Sequence, residues 1–234
     1  MYRGEPQIGS DSERHSIPRV TYIIPKEGTV LYDLCRELKP KNSLEIGLGY
    51  GYSTVYFLAA IRENGVGYHT AVDPVQRGEE FHGIGSRHAH TLGMSDIFRW
   101  IEDRSVPVLV HCAERDEKFE MIFINGSHRF DDVLVDFTLS AALCPMGGCI
   151  ILDDMWLPSI YRVAAFIRSN RKDFEELNTP EPKLAAFRRI GEDTQDRKHF
   201  VEFFETSDIE RAVRRFVPAF PRRAAKALLR PYFR

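Results

Sequence analysis

The chain reads as an α/β protein with a mostly parallel sheet and helices on both faces, and three observations predict this. Strand-like apolar runs alternate with helical runs from Leu44 to Asn170, the pattern of parallel strands joined by crossover helices. A glycine-rich turn, Gly47-Leu-Gly49-Tyr-Gly51, joins the first of these strands to a helix. Four strands run into residues suited to ligand binding, namely Gly47, Asp73, Asn125 and Asp153. At 234 residues the chain has the length of one such domain with a substantial core.

The elements follow in order. Residues 1–24 are polar and irregular and are expected to form an arm or lid. Pro25 to Leu38 has a proline at its start and one stripe of Val30, Leu31, Leu34, Cys35 and Leu38, which predicts a helix. Leu44–Gly47 is the first strand, and Ser53–Ile61 the helix after the glycine turn. Tyr68–Val72, ending in Asp73-Pro74, is the second strand, and Phe81–Gly93 is expected to be helical despite its glycines. Ile97–Ile101 is the third strand, with a short helix near Val106–Cys112. Met121–Ile124 is the fourth strand and leads into Asn125-Gly126-Ser127-His128. Phe130–Cys144 is a helix with Asp131 and Asp132 in its first turn, where the helix dipole favours them; Pro145 and Gly147-Gly148 stop it. Cys149–Leu152 is the fifth strand, Ser159–Asn170 a helix, and Leu184–Ile190 with Phe200–Phe204 a closing pair of strands, seven in all. One domain over residues 25–206 and a basic helical tail over 207–234 complete the expected organisation.

Composition is that of an ordinary globular protein, with a formal net charge of -2. No apolar run reaches membrane-spanning length, and the amino terminus has no signal-peptide core, so a cytoplasmic protein is expected. Cys35, Cys112, Cys144 and Cys149 form no C-x-x-C pair and read as buried thiols. From Arg211 to Arg234 there are arginines and a lysine but no acidic residue. That tail is either a surface helix docking Ala219, Ala225, Leu228 and Leu229, or a patch for an anionic partner. No nucleic-acid partner is expected.

The glycine turn is specific in its spacing. A dinucleotide fold wants G-x-G-x-x-G, and counting from Gly47 the sixth place holds Tyr52. Glu45-Ile-Gly47-Leu-Gly49-Tyr-Gly51 instead resembles motif I of the class I S-adenosylmethionine (SAM)-dependent methyltransferases. The resemblance implies a single Rossmann-like domain with an antiparallel edge strand. It implies too that Glu45, Gly47, Gly49 and Gly51 hold the methionine part of SAM and Asp73 its ribose. Ser53, opening the helix, and Asn125 join this set of candidate cofactor-binding residues. Taken alone, Asp73 is equally an aspartate capping the turn before Pro74.

The ends of the fourth and fifth strands carry a second set of candidate residues. Neighbouring strands lie about 4.8 Å apart, so Asn125, His128, Asp153 and Asp154 can converge. Two aspartates opposite an amide oxygen are hard donors suited to magnesium, manganese or calcium, though one of them could simply cap the following turn. Phe119-Glu-Met-Ile-Phe-Ile-Asn-Gly-Ser-His-Arg-Phe-Asp-Asp-Val and Met146-Gly-Gly-Cys-Ile-Ile-Leu-Asp-Asp-Met resemble blocks of bacterial small-molecule O-methyltransferases. That resemblance covers roughly Pro25 to Tyr161. It implies His128 as general base, Asp153 beside it in catalysis, and a divalent cation at Asn125, Asp153 and Asp154. The family usually has aspartate where this chain has Asn125, so the ion site is one charge short. Relatives also place an acid after the third strand. Glu102-Asp103-Arg104-Ser105 occupies that loop, with the adenine contact unassigned.

His82, His88 and His90 lie after the second strand, and the two-residue spacing of His88 and His90 keeps them off one helical face, against a zinc site between them. Trp156 and Tyr161 are candidate pocket aromatics or core. The sequence thus points to a SAM-dependent O-methyltransferase acting on a hydroxyl of a sugar or secondary metabolite, by resemblance a homo-oligomer, with Mg2+ as a second cofactor. A SAM-binding protein with weak or no catalysis and an NAD-dependent oxidoreductase are the alternatives.

Overall fold

A computed structural model describes residues 4–18 and 23–203. The basic tail lies outside them. A short hairpin comes first, β1 (Gln7–Ile8) with β2 (Arg14–His15), so the arm has ordered structure within the stretch expected to be irregular. The domain then runs α1 (Pro25–Leu38), β3 (Asn42–Ile46), α2 (Tyr52–Asn64), β4 (Tyr68–Val72), α3 (Ile84–Thr91), a single 3-10 turn at Ser95–Ile97, β5 (Phe98–Ile101) and α4 (Ser105–Glu114). It continues with β6 (Met121–Ile124), α5 (Phe130–Leu143), β7 (Cys149–Leu152), α6 (Pro158–Asn170), β8 (Phe174–Leu177) and β9 (Ala185–Arg189).

The seven-stranded sheet has the order β5-β4-β3-β6-β7-β9-β8. β3 to β7 are parallel, while β9 runs antiparallel to both β7 and β8. The chain moves outward from β3 through β4 and β5, then returns to lay β6 on the other side of β3. That reversal puts the topological switch point between the carboxyl ends of β3 and β6, where open α/β sheets bind ligands.

Side-chain alternation divides the core into two layers. Leu44, Ile46, Ile122, Ile124, Ile150 and Leu152 face α4, α5 and α6, meeting Leu109, Phe137 and Val163. Met121, Phe123, Cys149 and Ile151 face the other way, onto Leu31 and Cys35 of α1 and Phe57 and Ile61 of α2. Strands covered on both sides have no polar face, which is why β6 and β7 read as unbroken apolar runs. All four cysteines are buried thiols, and burial pushes Cys35, Cys144 and Cys149 up to about 12.

One element is corrected. Phe200 to Phe203 form no strand, and Phe204 lies outside the described residues. Phe203 packs edge-on against Phe166 of α6 and against Phe200, and Val201 exchanges two backbone hydrogen bonds with the side-chain amide of Asn170. An amide side chain thus satisfies the extended segment that a sheet neighbour was expected to satisfy. The partner of β9 is Phe174–Leu177 instead. Its two central residues, Glu175 and Glu176, are exposed, and the Glu176 carboxylate accepts from Nε and Nη2 of Arg168 (2.7 and 2.5 Å). Four residues with a charged middle carry no strand periodicity.

Candidate active site

A cleft of about 480 Å³ opens over the carboxyl ends of β3, β6 and β7. One wall is the turn after β3. Gly47, Gly49 and Gly51 all have positive φ (92°, 50° and 74°), a region that L side chains rarely adopt. At Gly47 a Cβ would also lie 2.2 Å from the carbonyl oxygen of Asn125, so the glycine permits β3 and β6 to meet at the switch point. At Gly51 a Cβ would lie 2.8 Å from Nδ1 of His88, which backs the turn from α3.

Glu45 lies beneath this turn rather than on its open side. It is fully buried and does not line the cleft. One of its oxygens accepts the Ser53 hydroxyl, and the other accepts Thr54 Oγ1 (2.5 Å) and lies 3.2 Å from His69 Nε2. The carboxylate therefore pins the first turn of α2, where the helix dipole favours a negative charge. Asp73 braces the turn from the other side. Its Oδ2 accepts the backbone N–H groups of Leu48 (3.1 Å) and Gly49 (2.9 Å) and the Gln76 amide (3.1 Å), and its Oδ1 accepts Val75 N–H (2.9 Å). Only Oδ1 retains capacity for a further donor. Glu45, Gly51 and Asp73 thus stand behind the turn, while Gly47, Gly49 and Ser53 line the cleft.

The opposite wall brings Asn125, His128, Asp153 and Asp154 together. His128 Nε2 lies 3.0 Å from Asp154 Oδ2. Asp154 has φ +54°, a strained backbone for a residue other than glycine, of the kind that clusters at functional sites. Trp156 Nε1–H donates to its Oδ1 (2.7 Å), which leaves Oδ2 directed at the imidazole. Trp156 is 66% exposed at the rim, whereas Tyr161, on α6, packs against the core and does not line the cleft. Asp153 is almost fully buried, and burial together with its neighbour Asp154 pushes its carboxyl up to about 8.

Several cleft residues carried no sequence signal. Glu27 of α1 is buried, accepts the Ile24 N–H (2.6 Å) and lies 2.9 Å from Lys183 Nζ. That contact holds Lys183 protonated, above the ordinary lysine range. A capping acid and a loop lysine far along the chain give no pattern that joins them. Tyr50 donates to the Glu80 carbonyl (2.6 Å) and packs edge-on against Phe81, which brings the loop before α3 to the rim. Of the histidines in that segment His88 is buried and His90 exposed, and neither lines the cleft.

Asn125, Asp153 and Asp154 offer hard oxygen donors, and a buried carboxyl raised to about 8 is one whose ionised form needs a nearby cation. The donor set fits a divalent ion, with the Lys183 ammonium as a second positive charge at the same cleft.

A family profile described as a methyltransferase domain matches residues 44–155, from β3 to Met155. No curated protein matches the chain significantly. Among solved structures, the O-methyltransferase TomG of Streptomyces achromogenes, involved in tomaymycin synthesis and bound to SAM, aligns with TM-score 0.61 and 17% identity, over 73% of this chain and 82% of its own. An O-methyltransferase from Bacillus cereus bound to S-adenosylhomocysteine (SAH) aligns with TM-score 0.59 and 20% identity, over 74% and 84%. The SAH-bound methyltransferase PaMTH1 of Podospora anserina gives TM-score 0.57 and 16% identity, over 70% and 78%.

Proposed function

We propose, from the premise that residues 44–155 are a methyltransferase domain on the class I fold, that the chain is a SAM-dependent O-methyltransferase for a small hydroxyl-bearing acceptor. The observation that carries this reading is the His128–Asp154 pair, 3.0 Å apart, lining the same cleft as the glycine turn.

SAM supplies an electrophilic methyl on a sulfonium that is already a good leaving group. What remains for the protein is to align an acceptor oxygen and take its proton. Alignment alone can contribute as much as ~7–11 kcal/mol. An Nε2–H directed at Asp154 fixes the imidazole tautomer and leaves Nδ1 as the basic atom. As the O–CH3 bond forms the sulfonium S–CH3 bond would break, leaving SAH, and the acceptor's O–H proton passes to His128. General-base action of this kind is worth about 10²- to 10⁴-fold. Asp154 stabilises the imidazolium so formed, and Trp156 keeps Asp154 in place. Asn125, Asp153 and Asp154 would hold a divalent cation, which when bound would stabilise the developing alkoxide. Gly47, Gly49 and Ser53 bring bare backbone and a helix N-terminus to the cofactor, with Asp73 Oδ1 the acceptor for a ribose hydroxyl.

Calorimetric titration with SAH, with and without Mg2+ and with NAD as control, tests the reading. Micromolar SAH binding is expected, with NAD inert. Binding of NAD alone would overturn it in favour of an oxidoreductase, and SAH binding without turnover on any hydroxyl acceptor would reduce it to a binding protein.

A further inference from the structure

A second cluster of ligand-competent side chains lies away from the cleft floor, where the amino-terminal hairpin docks on the loop before α3. Asp11 and His15 come from the hairpin and His82 from the loop. Asp11 Oδ2 lies 2.8 Å from His15 Nε2, and the His15 and His82 rings stack with centroids 3.6 Å apart and planes 7° from parallel. One ligand atom from each residue lies within 4.8 Å of the others, the one such group of three His, Cys, Asp or Glu among the described residues.

We propose that Asp11, His15 and His82 bind a zinc ion that fastens the hairpin to the loop. Two imidazoles and one carboxylate make up a familiar three-ligand zinc set, completed by water. The same set is too nitrogen-rich for magnesium or calcium, which separates it from the oxygen donors of Asp153 and Asp154. Ligand atoms around tetrahedral zinc stand about 3.4 Å apart, given bonds of about 2.1 Å. The present spread therefore closes by side-chain rotation, with the His15–Asp11 hydrogen bond giving way to the ion.

The backbone around the cluster is already held. Ser10 N–H donates to the His82 carbonyl (2.7 Å), and Arg87 Nη1 donates to the Gly9 carbonyl (2.7 Å). A Cβ on Gly9 would lie 2.7 Å from that His82 carbonyl and 2.9 Å from the His15 ring, so the two segments touch at the backbone. His82 directly follows Glu80 and Phe81, which line the cleft. An ion here would act on the cofactor side of the cleft by stiffening its rim and would take no part in methyl transfer.

The test uses the full chain stripped with EDTA and titrated with ZnCl2, with MgCl2 as control. One zinc per chain at micromolar affinity or tighter is expected, with magnesium inert. His15→Ala and His82→Ala should each weaken zinc at least 100-fold. Either variant could undock the hairpin, so a second readout stays with the unmutated protein: zinc should protect His15 and His82, and leave His90 and His128 reactive, toward diethyl pyrocarbonate mapped by mass spectrometry. Absent zinc binding, binding retained in both variants, or protection of His128 in place of His15 and His82 would each overturn the site. These readouts need no cofactor, so they stand or fall separately from the methyltransferase reading. SAH affinity that rises with zinc supports the coupling to the rim, and unchanged affinity overturns that coupling.

Discussion

The two walls of the cleft handle their charged groups in opposite ways. On the β3 side, Glu45 and Asp73 are buried, and their carboxylates are taken up by hydroxyls, backbone N–H groups and an amide of the chain itself. On the β7 side, Asp153 and Asp154 crowd together, His128 is 54% exposed at the side chain, and Asp154 sits on strained backbone. With Asp73 Oδ1 alone left to accept one more donor, the first wall is almost finished without a ligand. The second keeps proton-carrying groups open to one. Rigid cofactor geometry and movable protons need these different environments, since satisfied hydrogen bonds fix a shape while crowding and burial shift a pKa.

The sharpest way to break this comparison is at Gly47. Gly47→Ala adds a Cβ against the Asn125 carbonyl at φ +92°, where backbone must move. A loss of about 3 kcal/mol or more is expected, with SAH binding abolished. Gly49→Ala meets only the Phe81 ring, at 3.8 Å, so it should cost about 1–2 kcal/mol for its positive φ. Equal melting temperatures for the two variants would show that the β3–β6 approach is not what the glycine secures.

On the other wall His128→Ala should leave folding and SAH affinity within about threefold of the parent, yet cut turnover by about 10²- to 10⁴-fold. A variant that turns over normally would remove His128 from the chemistry. One that loses SAH instead would mean that the walls are not separable.

The walls also predict opposite pH limbs. Burial pulls His88, behind Gly51, down to about 4 from an ordinary 6.5. Between those values the unfolded chain takes up a proton that the folded one refuses, so stability falls as pH drops, by on the order of 3 kcal/mol in full. Asp153 is displaced the other way, from 3.8 to about 8. The folded chain keeps a proton that the unfolded chain has released, so stability falls as pH rises across that window. The Asp153 window overlaps that of His88 with the opposite slope, so the two offset each other between about 4 and 6.5, and His88→Gln should uncover a fall in stability with rising pH there. Asp153→Asn should remove the net fall between about 6.5 and 8 and uncover the His88 limb below it. Melting temperatures against pH, in EDTA, decide this. Profiles unchanged in both variants would assign the pH dependence to other groups.

The same division governs what the sequence disclosed. The parallel strands, the glycine turn and the strand-end residues Asn125, His128, Asp153 and Asp154 were legible because each is local: apolar runs bounded by turn residues, and chemistry-bearing residues next to them. Glu45 and Asp73 were legible as residues, but which way each carboxylate points depends on Thr54, Gln76 and the Leu48 amide. Glu27 and Lys183 left no trace, since their 2.9 Å contact joins α1 to the loop before β9. β8 was missed for the related reason that β9, not its own pattern, makes it a strand. Distance along the chain, more than chemistry, set the limit.

The smallest effect expected is the most informative about how the open wall is kept in order. Trp156 donates through Nε1 to Asp154, and phenylalanine retains a ring at the rim without that donor. A hydrogen bond to a charged acceptor at a solvent-exposed rim contributes about 1 kcal/mol, so Trp156→Phe should lower kcat about 3- to 10-fold while KM for the acceptor holds. A rise in KM with kcat unchanged would mean that the indole meets the acceptor itself. The open wall would then be ordered by its substrate, as the glycine wall is ordered by the chain.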